Sequence, residues 1–305
     1  MKRIGIIGIG NTVINHIEQI KQINEFDLVG IYDHNPKKAD ELSKKFGIHT
    51  FSHPIDLIEQ SEVVDFISPQ PMDLEYIFMA IKSARHLFIE NKFLKNKEQI
   101  QNIIDLADEA NVKVQIARHD RYNPAVIKAR EFVQHANFIE TRRGIADISP
   151  KDKISTALDL LIEDLDLVLS FANAGIRKIQ ARTNNPYGND IELLNVRLEF
   201  DNACVANINI SSLSPNSYSK MAIYQQDAVV HINLGNNTLE ILKANTKSQD
   251  ILSFDFKNEA IKIKALYSEL ISFHNSIKTN ISPIISLDED NTILEIIEEI
   301  KSQLY

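Results

Sequence analysis

Cationic side chains, cysteine and long apolar runs are all scarce in this chain of 305 residues. Lys and Arg number 33 against 42 Asp and Glu, a formal charge of -9. Nucleic acids and anionic membranes select clustered cations, so the balance argues against either partner. No apolar run approaches the ~20 residues that a bilayer-spanning helix needs. The start, Met1-Lys2-Arg3 and then a strand-like run with Gly5, Gly8 and Gly10, lacks a signal-type cleavage site. A single cysteine, Cys204, leaves no intrachain disulfide, and a cytoplasmic location is the expectation. Cys204 lies in the alternating run "NACVANINI" with no helix start or cationic neighbour to lower its pKa, so it reads as a structural thiol. There is no Cys-x-x-Cys pair, and no metal is expected. Repeats, linkers and low-complexity segments are also missing.

What is present is a strand-helix rhythm up to residue 120. Strand candidates are Arg3–Ile9, Leu28–Asp33, Val63–Ser68, His86–Glu90 and Val112–Arg118, with helical stretches near 11–22, 37–46, 73–84 and 96–110 between them. That alternation predicts parallel strands with helical crossovers, an α/β doubly wound sheet. Continuous runs such as "RIGIIGI" suit strands covered on both faces. After Pro124 the pattern changes. A helix near 124–134, the strand candidate "FIETRRGIAD" and a long helix near 155–173 precede strand candidates at 178–183, 192–200, 204–211, 220–224, 229–233 and 238–242. Two helices, near 266–279 and 288–304, close the chain. Residues 121–305 are therefore expected to form an α+β domain with a largely antiparallel open sheet, beside a nucleotide-binding domain at 1–120.

The stretch "KRIGIIGIGNTVINHI" ends its strand on Gly8 and Gly10. A strand that runs through Gly-x-Gly into a helix points backbone N–H groups and the helix dipole at a phosphate. The next strand ends on Asp33, 23 residues after Gly10, where a carboxylate accepts hydrogen bonds from a ribose diol and repels a 2′-phosphate. This favours NAD over NADP, with Gly8, Ile9, Gly10, Asn11, Thr12 and Val13 forming the turn. Val13 stands where a third glycine is usual, and is expected to push the helix slightly away from the strand.

The series "GIGNTVINH", Asp33, "ISPQP", "FIENK", "QIARHDRYNPAV" and "DLLIEDLD" resembles the glucose-fructose oxidoreductase / inositol dehydrogenase / MocA family over nearly the whole chain. "RYNPAV", close to the family's R-F-N-P-A, is the strongest block. The resemblance implies a Rossmann domain followed by an α/β domain with an open sheet, NAD(P)-dependent oxidation or reduction of a carbon–oxygen centre in sugars, cyclitols or nucleotide sugars, and homo-oligomers formed through that sheet. It also places Ser68, Pro69, Gln70, Glu90 and Arg118 near the cofactor.

Three departures from the family's pattern concern catalysis. The family's E-K-P reads Glu90-Asn91-Lys92, so the catalytic lysine's place holds Asn91. Its D-x-x-x-H reads Asp159-x-x-x-Glu163, and a histidine after its proline loop has become Asp73. Hydride transfer from a carbinol needs a base for the hydroxyl proton and a cation beside the developing alkoxide. Asn91 can only orient a hydroxyl. Lys92 can take the lysine's role if the strand end is distorted, because adjacent residues on extended chain face opposite sides. Asp159, Glu163 and Asp166 share a helix face, where crowding raises one carboxylate pKa; the same residues also read as a plain acidic stripe.

"ARHDRYNP" follows a parallel strand, where ligands of open α/β sheets sit. His119, Arg121 and Tyr122 are candidate substrate groups there, with Tyr187 of "TNNPYGND" at the pocket edge. Two functions remain: an NAD(P)-dependent dehydrogenase or reductase, or a catalytically impaired nucleotide- or sugar-binding relative acting as sensor or partner subunit.

Overall fold

The computed structural model describes residues 1–67, 73–90, 96–146, 153–184, 192–244, 249–256, 260–285 and 287–304. These residues form two compact units, Met1–His119 with Ile263–Leu294, and Asp120–Lys262 with Glu295–Tyr305. The return of Ile263–Leu294 to the first unit is not visible in a single cut after residue 120.

The first unit has five strands, β1 (Lys2–Ile7), β2 (Phe26–Tyr32), β3 (Val63–Phe66), β4 (His86–Ile89) and β5 (Val114–Ile116). They are all parallel, in the order β2-β1-β3-β4-β5. β1 and β3 are buried along most or all of their length, as sheets covered on both faces require. Between the strands run α1 (Val13–Gln22), α2 (Pro36–Phe46), α3 (Pro54–Gln60), α4 (Asp73–Lys82) and α5 (Lys97–Glu109). Sequence chemistry sets their ends. Asn35 accepts the Lys37 N–H at 3.1 Å ahead of Pro36, and Asn96 accepts the Glu98 N–H at 2.8 Å. The α1 stripe Val13, Ile17 and Ile20 is buried, each side chain contributing roughly 1.5–3 kcal/mol. α8 (Ala260–Thr279) adds Leu266, Leu270 and Phe273 to the same core, and α9 (Leu287–Leu304) adds Leu287 and Leu294 to the core on α4 and α5.

The second unit has eight strands, β6 (Phe138–Gly144), β7 (Ile176–Asn184), β8 (Leu193–Phe200), β9 (Val205–Ser211), β10 (Tyr218–Tyr224), β11 (Ala228–Asn233), β12 (Thr238–Ala244) and β13 (Gln249–Asp255). Their order is β13-β12-β11-β10-β6-β9-β8-β7, antiparallel throughout except for the parallel pair β6 and β9. Period-two patterning puts Leu194, Val196, Leu198 and Phe200 of β8 in the core. α7 (Lys153–Ala172) packs on β6 and β9 with Ala157, Leu161, Leu165 and Val168, and α6 (Pro124–Arg130) packs on β11 and β12. α3 and β13 have no counterpart among the elements expected from sequence.

Candidate functional site

β1 and β3 are neighbours in the first sheet although β2 intervenes in the chain, so the topological switch point lies between them. Ligands of open α/β sheets bind beyond the carboxyl ends of strands at such a point. Gly8, Ile67 and Glu90 leave β1, β3 and β4 there. Gly8 adopts φ +94, a conformation that favours glycine, and its N–H donates to Tyr32 O at 2.9 Å. Asp33 braces the turn by accepting the Ile9 N–H at 2.7 Å on one oxygen and the Asn35 N–H at 2.8 Å on the other. Gly10 is half-buried, and Asn11 and Thr12 are exposed.

The residues of this turn fit a dinucleotide. Thr12 is the N-cap of α1, yet its side chain caps no amide, and the first turn carries no acidic residue. The positive end of the helix dipole is thus left for an external anion. Val13 does not crowd this end: it is 3% exposed and packs in the core with Ile17 and Ile20, so the third-glycine position is an internal contact here.

The Thr12 hydroxyl instead donates to Glu90 Oε1 at 3.1 Å, and this oxygen is the meeting point of a buried network. His16 Nε2 of α1 lies 3.0 Å from it and His119 Nε2, just after β5, 3.6 Å from it. Behind each ring stands another carboxylate. His16 Nδ1 bonds Asp65 Oδ2 of β3 at 2.7 Å, and His119 Nδ1 bonds Glu269 Oε2 of α8 at 2.7 Å. Glu269 also accepts the Arg118 N–H at 2.7 Å and Gln115 Nε2 at 3.3 Å. His16, Asp65 and Glu269 are fully buried, while the side chains of Glu90 and His119 are 12% and 37% exposed.

Burial alone disfavours the imidazolium of His16, but Asp65 and then Glu90 outweigh it and raise its pKa to about 9. His119 is raised well above the ordinary value against the same opposition, by Glu269 and then Glu90. Burial pushes Glu90 upward, yet the His119 and His16 rings hold it far below the usual carboxylate range. Full burial raises Asp65 despite His16.

Thr12, Glu90, Arg118 and His119 are among the candidates named from sequence, whereas His16, Asp65 and Glu269 are not. Asp65 carries a sequence signal, a charged residue set within the apolar run "VVDFI". A buried carboxylate in such a run needs a partner.

The other sequence candidates lie in different surroundings. Arg118 is 5% exposed, and its guanidinium pairs with Asp290. Arg121 and Tyr122 belong to a 3-10 turn of the second unit, where Arg121 grips Asp166 with two bonds of 2.8 Å. Asp159 is half-buried on α7. The acidic face of α7 meets cations: Arg143 of β6 bonds Glu163 at 2.8 Å, Asp164 at 2.6 Å and Asp120 at 2.6 Å. Ser68, Pro69, Gln70, Asn91, Lys92 and Tyr187 lie outside the described residues. His49 and His53 are four residues apart, but on non-helical chain, where this spacing does not stack side chains on one face. Among the described residues no helix is long and apolar enough to cross a membrane.

Comparisons with known proteins agree with this geometry. Residues 2–118 match a family described as an oxidoreductase family with an NAD-binding Rossmann fold. The UDP-N-acetylglucosamine 3-dehydrogenase of Acidithiobacillus ferrooxidans is 25% identical over 284 residues, spanning 90% of this chain and 88% of that one. Its crystal structure superposes with a TM-score of 0.89 at 22% identity, covering 99% of this chain and 97% of the other. A levoglucosan dehydrogenase in complex with NADH and L-sorbose gives a TM-score of 0.84 at 15% identity, covering 99% and 96%. Residues 2–118 thus carry the NAD-binding Rossmann fold of the glucose-fructose oxidoreductase / inositol dehydrogenase / MocA oxidoreductase family, and the chain as a whole is similar to dehydrogenases.

Proposed function

We propose that this protein is an NAD(P)-dependent oxidoreductase that moves a hydride to or from a sugar-like, cyclitol or nucleotide-sugar alcohol or ketone. The observation that carries the reading is the uncapped amino end of α1 beside the Gly8 turn, braced by Asp33. The turn amides hold the pyrophosphate, and Asp33 accepts the adenosine ribose diol, which favours NAD over NADP. When bound, the nicotinamide supplies the hydride acceptor or donor. Glu90 stands at the edge of that position with Asn91 and Lys92 next in sequence; Asn91 orients a hydroxyl and Lys92 offers a cation. Asp159, Glu163, His119, Arg121, Tyr122 and Tyr187 are the further candidates for substrate contact. The first unit, Met1–His119 with Ile263–Leu294, serves as the cofactor domain, and the second as the substrate and dimerisation domain, with the eight-stranded sheet as the interface of a cytoplasmic homo-oligomer.

One observation favours a second reading, a binding relative without turnover. Glu163, at the family's histidine position, is ion-paired with Arg143 at 2.8 Å, which opposes its use as a base. Titration with NADH and NADPH by nicotinamide fluorescence, followed by a turnover screen of sugars and nucleotide sugars, separates the two. Binding with turnover is the expected result; binding without it supports the second reading, and no binding overturns both.

A further inference from the structure

We propose that His16, Glu90 and His119 form a binding site for one divalent transition-metal ion of the zinc class. Each offers one ligand atom, and the three atoms lie within 4.8 Å of one another. Two of the separations are 3.0 and 3.6 Å, both from Glu90 Oε1 to an imidazole Nε2. A tetrahedral ion with bonds of about 2.0–2.1 Å sets its ligands roughly 3.3–3.4 Å apart. The rings stand nearly perpendicular, at 70°, with centroids 6.3 Å apart, so both nitrogens approach one point without stacking.

Bringing three such residues together by sheet topology is not sufficient; the surroundings make the cluster a built site. Metal-bound histidines nearly always present their second nitrogen to a carboxylate or carbonyl, which fixes the ring and strengthens the donor. Both histidines here have that partner, Asp65 for His16 and Glu269 for His119, each at 2.7 Å and each fully buried. Glu269 is itself oriented by the Arg118 amide and by Gln115. Thr12 Oγ1, at 3.1 Å, orients the Glu90 carboxylate.

The donor set selects the ion. Two imidazoles and one carboxylate suit zinc, cobalt or non-haem iron, whereas magnesium and calcium take oxygen ligands almost exclusively. Charge is conserved: a dication that displaces the Nε2 protons of both imidazolium rings leaves the three carboxylates and two neutral rings with the same single net negative charge. With three protein ligands a fourth position is left over, as in zinc sites that bind substrate. His119 is the partly exposed ligand of the three, at 37%, against 0% for His16 and 12% for Glu90. Provided the oxidoreductase reading holds, an ion there polarises a substrate carbonyl and stands in for the lysine that Asn91 replaces.

The test uses the tag-free full-length protein, stripped with a chelator and titrated with Co²⁺ alone. One ion per chain, with the visible ligand-field bands of a four- or five-coordinate nitrogen/oxygen site, is the expected result, and Zn²⁺ in competition abolishes the bands. His119→Ala removes the part-exposed ligand and Glu269→Gln only its support, so the first loses the bands and the second binds 10–100-fold more weakly. Absence of bands, or bands that survive in His119→Ala with unchanged affinity, overturns the site. Circular dichroism checks that each variant is folded. Cobalt binding needs no nicotinamide, so its failure condemns the metal site alone. Failure of NADH to bind a cobalt-loaded protein condemns the oxidoreductase reading alone.

Discussion

Arg143 Nη1 lies 2.8 Å from Glu163 Oε2, and the same guanidinium bonds the buried Asp164 through Nε at 2.6 Å. The two carboxylates depend on it unequally. Glu163 is 38% exposed and keeps its hydration, while Asp164 is 1% exposed and keeps almost none. Removing one partner of a buried pair costs about 3–5 kcal/mol, whereas an exposed pair is worth about 0–1 kcal/mol. Arg143→Met is therefore expected to lose several times more stability than Glu163→Gln in urea unfolding. Equal, small losses would show that Asp164 does not rely on Arg143.

Asp33 joins two tasks, since it braces the Ile9 amide and faces the place assigned to the adenosine ribose. Asp33→Ser is expected to weaken NADH binding about tenfold, about 1.4 kcal/mol, and to narrow the gap between NADH and NADPH. Fluorescence titration with both nucleotides measures this. An unchanged preference would remove Asp33 from cofactor recognition.

Gly8 holds φ +94 at the end of β1. An alanine there meets backbone strain on the order of 1–3 kcal/mol and shifts the turn that points amides at the phosphates. Gly8→Ala is expected to lower the urea midpoint and weaken NADH binding together. A variant with wild-type affinity would mean that the pyrophosphate rests elsewhere.

His86 accepts the Lys113 N–H on Nδ1 at 3.0 Å, and its pKa falls to about 4, chiefly through burial and then through Lys2 and Lys113. The folded state therefore favours the neutral ring. Its contribution is complete above the unfolded value near 6.5 and is lost as pH falls from there toward 4, on the order of 1–3 kcal/mol. Urea unfolding at several pH values should show this loss. In His86→Asn, which carries no titrating ring, the pH dependence should be shallower over that window. An identical slope in both proteins would assign the loss to other groups.

Much of the fold is legible because local periodicity and global burial coincide. β8 alternates strictly and buries every second residue, and β1 is an isoleucine run because both its faces are covered. α3 escapes such reading, since the seven residues Pro54–Gln60 are too few to display a helical period. β13 escapes it as an edge strand: Ile251 and Leu252 are consecutive and both exposed, at 58% and 36%, so no inside-outside alternation exists. The nucleotide turn is legible because its parts are contiguous. The His16–Glu90–His119 network is not, because α1, β3, α8 and the chain just beyond β4 and β5 each contribute one carboxylate or ring, and only strand order makes those positions neighbours.

Glu269 arrives late. It emerges from the ribosome 150 residues after His119, whose ring it holds, within the helix that also supplies Leu266, Leu270 and Phe273 to the first core. A nascent chain that has made only the five parallel strands therefore exposes an unsealed apolar face and an unsupported imidazole. Maturation of this half must wait for the other half to be translated, so a ribosome stalled near residue 262 should display a protease-sensitive amino-terminal segment.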